Sequence, residues 1–229
     1  MPMNKYELVF LDADETLLDF RKAERYALSE SFGHFGVESG EPVVQAYEEI
    51  NTAIWKRLEK GELDQERLKV ERFRLLFEHL NLHLDPVAFS ALYLEWLGRG
   101  SFLLPDAEDL CVYLAKNYRL AMVTNGIKEV QRSRVGASPI AHLFDALIIS
   151  EEAGASKPDP AIFVYACRRL GFHDKSKMIM IGDSLSSDIR GGQNFGIDTC
   201  WFNPAGLLNP TELKPAYEIS NLKDLKRIL

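Results

Sequence analysis

The stretch LVFLDADETLLDF, residues 8–20, decides how this chain is to be read. Four apolar residues, Leu8–Leu11, run straight into Asp12, Ala13, Asp14, Glu15 and Thr16. A run so short, rich in Leu, Val and Phe and without polar alternation, reads as a strand buried on both faces, the pattern of a parallel sheet. Asp12 and Asp14 leave that strand two residues apart, so both can face one crevice while Ala13 points away. Two carboxylates this close repel, and they invite a cation or share a proton. Oxygen ligands supplemented by water suit Mg²⁺. Taken alone, such a cluster is more often a turn with a helix cap.

Outward from this stretch the strand pattern recurs at Leu120–Val123, Ala146–Ile149, Met178–Ile181 and Thr199–Phe202, with helix-period segments between. In one of these, Asp159-Pro160 is a helix start, Ile162, Phe163, Ala166 and Leu170 share a face, and Gly171 is the stop. Strand–helix alternation predicts an α/β fold with a doubly wound parallel sheet. Ligands of such sheets sit outside the carboxyl ends of the strands. The rhythm breaks after the first strand. Three helical stripes follow: Val43, Tyr47, Ile50, Ile54, Leu58; Val70, Phe73, Leu76, Phe77, Leu80; and Phe89, Leu92, Tyr93, Trp96. Roughly 80 residues of helix exceed what one crossover needs, so an inserted helical subdomain is expected at 19–98, with 1–18 and 99–229 as the α/β core. Leu17–Phe20 and Gly98-Arg99-Gly100 would be its linkers.

Composition bounds the function. The 229 residues carry 27 Lys and Arg against 34 Asp and Glu, a net charge of −7. An acidic chain is ill suited to a nucleic-acid polymer or an anionic membrane as main partner, although a metal ion and one lysine can still admit a small anion. The N-terminal apolar run is too short for a signal peptide or a membrane span. Cys111, Cys167 and Cys200 form no C-x-x-C pair, and their odd number predicts a reduced, cytoplasmic protein. No G-x-G-x-x-G or G-x-x-x-x-G-K-[ST] occurs, which removes the dinucleotide and P-loop readings.

Three further polar clusters follow predicted strands. In Thr124-Asn125-Gly126, an ordinary turn signal, the Thr124 hydroxyl and nearby backbone N–H groups could cradle a phosphate oxygen. Lys157, otherwise an ordinary solvated lysine, precedes the rigid Pro158-Asp159-Pro160 segment, which would fix its approach. Asp183 to Asp188 follow Gly182, and Asp183 or Ser184 could equally cap a helix. Four successive strands thus end in carboxylates, a hydroxyl donor, a cation and a carboxylate.

As a set, DADETL (12–17), VTNG (123–126), SKP (156–158) and GDSLSSD (182–188) resemble the four signature motifs of the haloacid dehalogenase-like hydrolase superfamily. The resemblance covers the whole chain, including a helical cap between the first two motifs. It implies a Rossmann-like core and a Mg²⁺-dependent phosphomonoesterase working through an aspartyl-phosphate. Asp12 would be the nucleophile and Asp14 the general acid/base. Thr124, with the backbone N–H of Asn125 and with Gly126, would bind the phosphoryl group, and Lys157 would balance charge on nucleophile and phosphate. Asp12, Asp183 and the carbonyl of Asp14 would hold Mg²⁺, with Asp188 orienting its neighbours. Within the superfamily, TNGIKEVQRSR, ISEEAGASKPDPAIF and GDSLSSDIRGGQNFGIDTCWFN resemble bacterial pyrimidine 5′-nucleotidases that clear noncanonical nucleotides. The partner implied is a small phosphorylated metabolite, a nucleoside monophosphate first, and the assembly a monomer or homodimer. The stretch Arg132–Pro139 departs from that branch, and the expectation there is a shortened helix that matters for packing more than for chemistry.

Alternatives on the same fold are a phosphoglycolate or sugar-phosphate phosphatase and a β-phosphoglucomutase. A 2-haloacid dehalogenase needs no acid two residues after its nucleophile, so Asp14 argues against it. A receiver-type phosphorylation switch has no helical insertion after its first strand. Selectivity for the leaving group would come from the insertion, where a few of Tyr26, Phe32, Phe35, Tyr47, Trp55, Phe73 and Phe77 could stack on a base while most form its core.

Overall fold

The computed structural model describes residues 5–229, and of Glu59 the backbone alone. In chain order the elements are β1 (Leu8–Leu11), α1 (Phe20–His34), α2 (Glu41–Glu59), α3 (Gln65–His79), α4 (Pro86–Arg99), α5 (Ala107–Leu114), β2 (Arg119–Thr124) and α6 (Lys128–Ala137). They continue as β3 (Ala146–Ile149), α7 (Ser150–Ala153), α8 (Ala161–Leu170), β4 (Met178–Gly182), α9 (Arg190–Phe195), β5 (Asp198–Phe202), β6 (Tyr217–Ile219) and α10 (Leu225–Ile228). The chain divides into two compact units, one up to Phe20 and from Ser101 onward, the other Arg21–Gly100. The division falls two residues later at each junction than the reading from sequence.

In the first unit six parallel strands lie in the order β3-β2-β1-β4-β5-β6. Side chains alternate between two cores, as the period of a strand requires. Val9, Leu11, Leu120, Met122, Ile179 and Ile181 pack with Leu110, Cys111 and Leu114 of α5. Leu8, Phe10, Ala121, Val123, Met178 and Met180 pack with Ile162, Phe163 and Ala166 of α8. Each such side chain contributes about 1.5–3 kcal/mol by leaving water, and double-sided burial is why the strands read as unbroken apolar runs. The sixth strand was not expected. It has three residues at the sheet edge, with Glu218 exposed, so neither length nor pattern marks it.

Strand order positions the site. The chain runs from β1 out to β2 and β3, then returns to β4 on the other side, which puts the topological switch at β1. Leu11 is in register with Met122 and with Ile181, so the residues just after these three strands emerge side by side.

The second unit is helical. Asp64 and Asp85 cap α3 and α4 by accepting from Arg67 N at 2.8 Å and Val87 N at 2.9 Å. Tyr47, Ile54, Phe73, Leu76, Phe77, Phe89 and Tyr93 of the predicted stripes are buried. The rings interlock: Phe32 and Phe89 at 4.7 Å, Phe73 and Phe89 at 4.9 Å, Tyr47 and Phe73 stacked at 5.5 Å. Phe32, Tyr47, Phe73 and Phe77 are therefore core rings. Helix α1 escaped the stripe reading because it buries small and polar residues, Ala23, Glu24, Ala27 and Ser31, beside Leu28 and Phe32.

Candidate active site

Asp12 follows β1 directly, and its N–H bonds to the Ile181 carbonyl of β4 at 2.9 Å. Its side chain is buried and its Oδ1 accepts from Lys157 Nζ at 2.5 Å. The same ammonium donates to the Val123 carbonyl and to Asp188 Oδ1, each at 2.7 Å. All three Lys157 hydrogens are thereby engaged, so in this arrangement the lysine acts on the carboxylates rather than on a phosphate oxygen. Its backbone is fixed by an amide pair: Asn125 Nδ2 donates to Lys157 O at 2.8 Å, and Lys157 N donates to Asn125 Oδ1 at 2.9 Å. The Asn125 side chain is thus a clamp between the β2 and β3 loops, a role its turn motif did not suggest.

Asp183 leaves β4 beside Asp12. Thr16 Oγ1 donates to its Oδ1 at 3.3 Å, and the Trp201 indole N–H donates to its carbonyl at 2.8 Å. Asp188 lies one turn on. Its Oδ2 accepts from Ser184 N at 3.0 Å while Oδ1 accepts from Lys157, so both its oxygens already have protein donors. The turn between them is π-helical, with Ile189 N bonding to Ser184 O at 3.2 Å, and the Ser184 hydroxyl caps it through Ser187 N. Gly182 is obligatory here, because a Cβ would lie 2.2 Å from Asp188 Oδ2.

Thr124 ends β2. Its hydroxyl oxygen accepts from Gly126 N at 3.1 Å and from Gln131 Nε2 at 3.0 Å. With both acceptor positions filled, the hydroxyl hydrogen is left to donate to a ligand. The Gly126 N–H, expected to meet a phosphate, is instead turned onto Thr124. Gly126 is required for a different reason: a Cβ there would lie 2.3 Å from Gln131 Nε2.

The turn after Asp12 folds back on itself, with Leu17 N and Leu18 N both bonding to the Ala13 carbonyl and Glu15 in the left-handed region at φ 57°. It presents the Asp14 carboxylate to α6, where Oδ2 accepts from Gln131 Nε2 and Oδ1 from Arg134 Nη1, each at 2.5 Å. This corrects the reading of Arg132–Pro139 as packing: Arg134 is fully buried and its ion pair is with a candidate catalytic acid. Gly136 does not end α6; the helix runs to Ala137 and Ser138, extended at ψ 141°, precedes Pro139.

Oxygen atoms of Asp12, Asp183 and Asp188 lie within 4.8 Å of one another. Burial pushes the Asp12 carboxyl well above the usual range, with Lys157 pulling against it and Asp188 and Asp183 adding to it. Burial and the Asp188 charge push Asp183 up to about 7. Burial alone would lower the Lys157 ammonium, but Asp12 and Asp188 more than reverse that and keep it charged. Three carboxylates against one ammonium leave an excess of negative charge. Hard oxygen donors with that excess fit a divalent cation such as Mg²⁺. No helix among the described residues is long and apolar enough to cross a membrane.

The site residues come together at the carboxyl ends of the central strands: Asp12, Asp183, Asp188 and Lys157 in one cluster, Thr124 and Asp14 joined through Gln131. Thr16 lies in the DADETL motif, and Gln131, Arg134 and Trp201 lie in the stretches that resemble the nucleotidase branch, but no role was expected of any of the four from sequence.

The family model for haloacid dehalogenase-like hydrolases matches residues 6–196. The chain is 36% identical to pyrimidine 5′-nucleotidase PynA of Streptococcus pneumoniae, over 96% of this chain and 93% of that one. It is 32% identical to pyrimidine 5′-nucleotidase YjjG of Escherichia coli, over 98% of each. The structure of YfnB of Bacillus subtilis, solved bound to magnesium, matches with a TM-score of 0.93 at 33% identity, covering 99% of each chain.

Proposed function

The chain belongs to the haloacid dehalogenase-like hydrolases, and from that premise we propose that it is a Mg²⁺-dependent phosphomonoesterase preferring nucleoside 5′-monophosphates, pyrimidines first. One observation carries the phosphatase reading: a buried Asp12–Lys157–Asp188 cluster, with Asp183 beside it, stands next to a threonine hydroxyl whose only remaining hydrogen bond is as a donor. The names of PynA and YjjG support the substrate class. The three free, buried cysteines support a reducing compartment, the cytoplasm.

In the proposed reaction an Asp12 carboxylate oxygen attacks phosphorus. The P–O bond to the alcohol breaks as the new O–P bond forms, giving an aspartyl-phosphate. Asp14 gives its proton to the departing oxygen. It then takes a proton from the water that attacks the aspartyl-phosphate, which releases inorganic phosphate and regenerates Asp12. Lys157 keeps Asp12 aimed, and the Thr124 hydroxyl donates to a phosphoryl oxygen. Asp12, Asp183 and the Asp14 carbonyl would hold Mg²⁺, which when bound neutralises the carboxylate cluster and the phosphoryl charge.

Phosphate release across a panel of phosphomonoesters tests both levels. UMP, dUMP and dTMP are expected to show the highest kcat/KM, with activity lost in EDTA and restored by Mg²⁺. Phosphoglycolate or a hexose phosphate ahead by tenfold or more would overturn the nucleotidase reading and leave the phosphatase reading standing. Turnover unchanged in EDTA would overturn the metal.

A further inference from the structure

We infer that Gln131 and Arg134 are positioning residues that aim the Asp14 carboxylate, an inference that rests on Asp14 as the proton carrier. The two side chains are three residues apart on α6 and so share one face. Between them they hold both Asp14 oxygens, Gln131 Nε2 on Oδ2 and Arg134 Nη1 on Oδ1. The geometry is one-sided: Arg134 and Gln131 are buried, while the Asp14 side chain keeps 25% of its surface open. The anchors sit in the core, and the group they grip reaches solvent.

Packing alone does not account for the arginine. Removing a guanidinium from water is costly unless a partner and good geometry offset it, and an apolar side chain of that volume would serve a purely structural need as well. Here the partner is the carboxylate two residues beyond Asp12, and the Phe20 ring lies 5.4 Å from the guanidinium carbon. Gln131 adds a second link, because its Nε2 also reaches Thr124 Oγ1 at 3.0 Å. One amide therefore ties the phosphoryl-binding hydroxyl to the proton carrier and fixes their separation. The close approach of Gln131 to Gly126 is what this link requires of the β2 turn.

A carboxylate gripped at both oxygens cannot swing about its terminal torsion. Released, it would sample orientations in which its proton misses the leaving oxygen. Because proton transfer contributes about 10²–10⁴-fold, a misaimed carboxylate forfeits a fraction of that and leaves ground-state binding alone.

The experiment compares kcat/KM, which reports formation of the phosphoenzyme, for a nucleoside monophosphate and for p-nitrophenyl phosphate, whose leaving group needs no proton. Arg134→Met is expected to lower the first about 10–100-fold and the second by no more than about threefold, with KM changed little. Arg134→Lys should recover part of the loss. In an Asp14→Asn background, Arg134→Met should cost nothing more, since the group it aims is gone. Gln131→Leu leaves the buried charge in place and is expected to act in the same direction by about tenfold, so the test stands even where Arg134→Met does not fold. Equal losses on both substrates, or an additive loss in the Asp14→Asn background, would overturn the inference while Asp14 keeps its role. Full activity of Asp14→Asn itself would overturn the reading of Asp14 and the inference with it.

Discussion

Each unit of this molecule buries charge, and the two arrangements differ in what they leave over. In the helical unit Asn51 Nδ2 donates to Glu24 Oε1 at 2.9 Å, and Arg72 Nη1 reaches Asn51 Oδ1 at 3.4 Å. One acid and one base are joined through an amide, and the guanidinium carbon lies 4.8 Å from the centre of the Tyr93 ring. The charges balance within the protein. At the carboxyl ends of the central strands of the α/β unit, Lys157 is shared by Asp12 and Asp188, with Asp183 next to them, and acids outnumber the base. A balanced buried pair completes itself and serves the fold. An unbalanced one is held ready for something from outside, and burial makes the demand stronger because water no longer screens it. The comparison points to the uncompensated remainder, rather than to burial of charge by itself, as what singles out the candidate site.

Three changes probe that difference. The largest effect is expected for Asp12→Asn, a near-isosteric amide that cannot attack phosphorus. Turnover should fall by about 10³-fold or more while thermal stability holds or rises, because one member of a repelling cluster has lost its charge. Phosphate release beside a melting curve checks both halves, and appreciable turnover in a clean preparation would take the nucleophile's role from Asp12.

Arg72→Met should do the reverse. It strands Glu24 without its balancing charge, so unfolding in urea should show a loss of about 3–5 kcal/mol. Replacing both charges, Glu24→Gln with Arg72→Met, should recover much of that, which an isolated cavity effect would not.

The smallest effect belongs to a pair that water reaches. Asp198 accepts from Lys5 Nζ at 2.7 Å and from Tyr6 Oη at 2.6 Å, with the Asp198 side chain 39% exposed. Burial pushes its carboxyl up, but the bonds from Lys5 and Tyr6 outweigh that and hold it below 3.8. A carboxyl lowered on folding stabilises the fold above its unfolded value, and that contribution is lost as pH falls through the lowered folded value. Asp198→Asn should therefore cost a few tenths of a kcal/mol at pH 7 and nothing near pH 2. Denaturation midpoints of the two proteins that stay equally far apart at both pH values would show that the charge is not involved.

The helix-and-sheet plan was legible because each signal is local. Leu8–Leu11 and Met178–Ile181 are apolar runs of strand length, and Asp159, Pro160 and Gly171 punctuate α8. Helix α1 and strand β6 were not, the first because its buried face is Ala, Glu and Ser, the second because three residues at an edge carry no period. The motif residues Asp12, Thr124 and Asp183 were placed at strand ends by counting alone, whereas Lys157 was placed downstream of β3, from which α7 separates it. Their partners could not be found that way: Gln131 and Arg134 lie 117 and 120 residues from Asp14. Gly126 was assigned to a ligand, and the structure turns its N–H onto Thr124; the Asn125 side chain, to which no role was given, holds Lys157 while the backbone N–H of Asn125 keeps the ligand role expected of it.

The candidate residues could be named from the chain itself, because the clusters at 12–17, 123–126, 156–158 and 182–188 resemble one family's motifs as a set, although Asp12 and Asp14 alone read also as a turn. How each is held was decided only by folding. Hydrogen bonds reach about 3 Å, and the donors and acceptors that meet at that distance come from strands whose order is not their order in the chain. The parallel register brings Asp12 beside Gly182, and α6 brings a buried arginine to Asp14. No spacing rule within one sequence encodes either meeting, because both depend on which elements pack together once their apolar faces leave water.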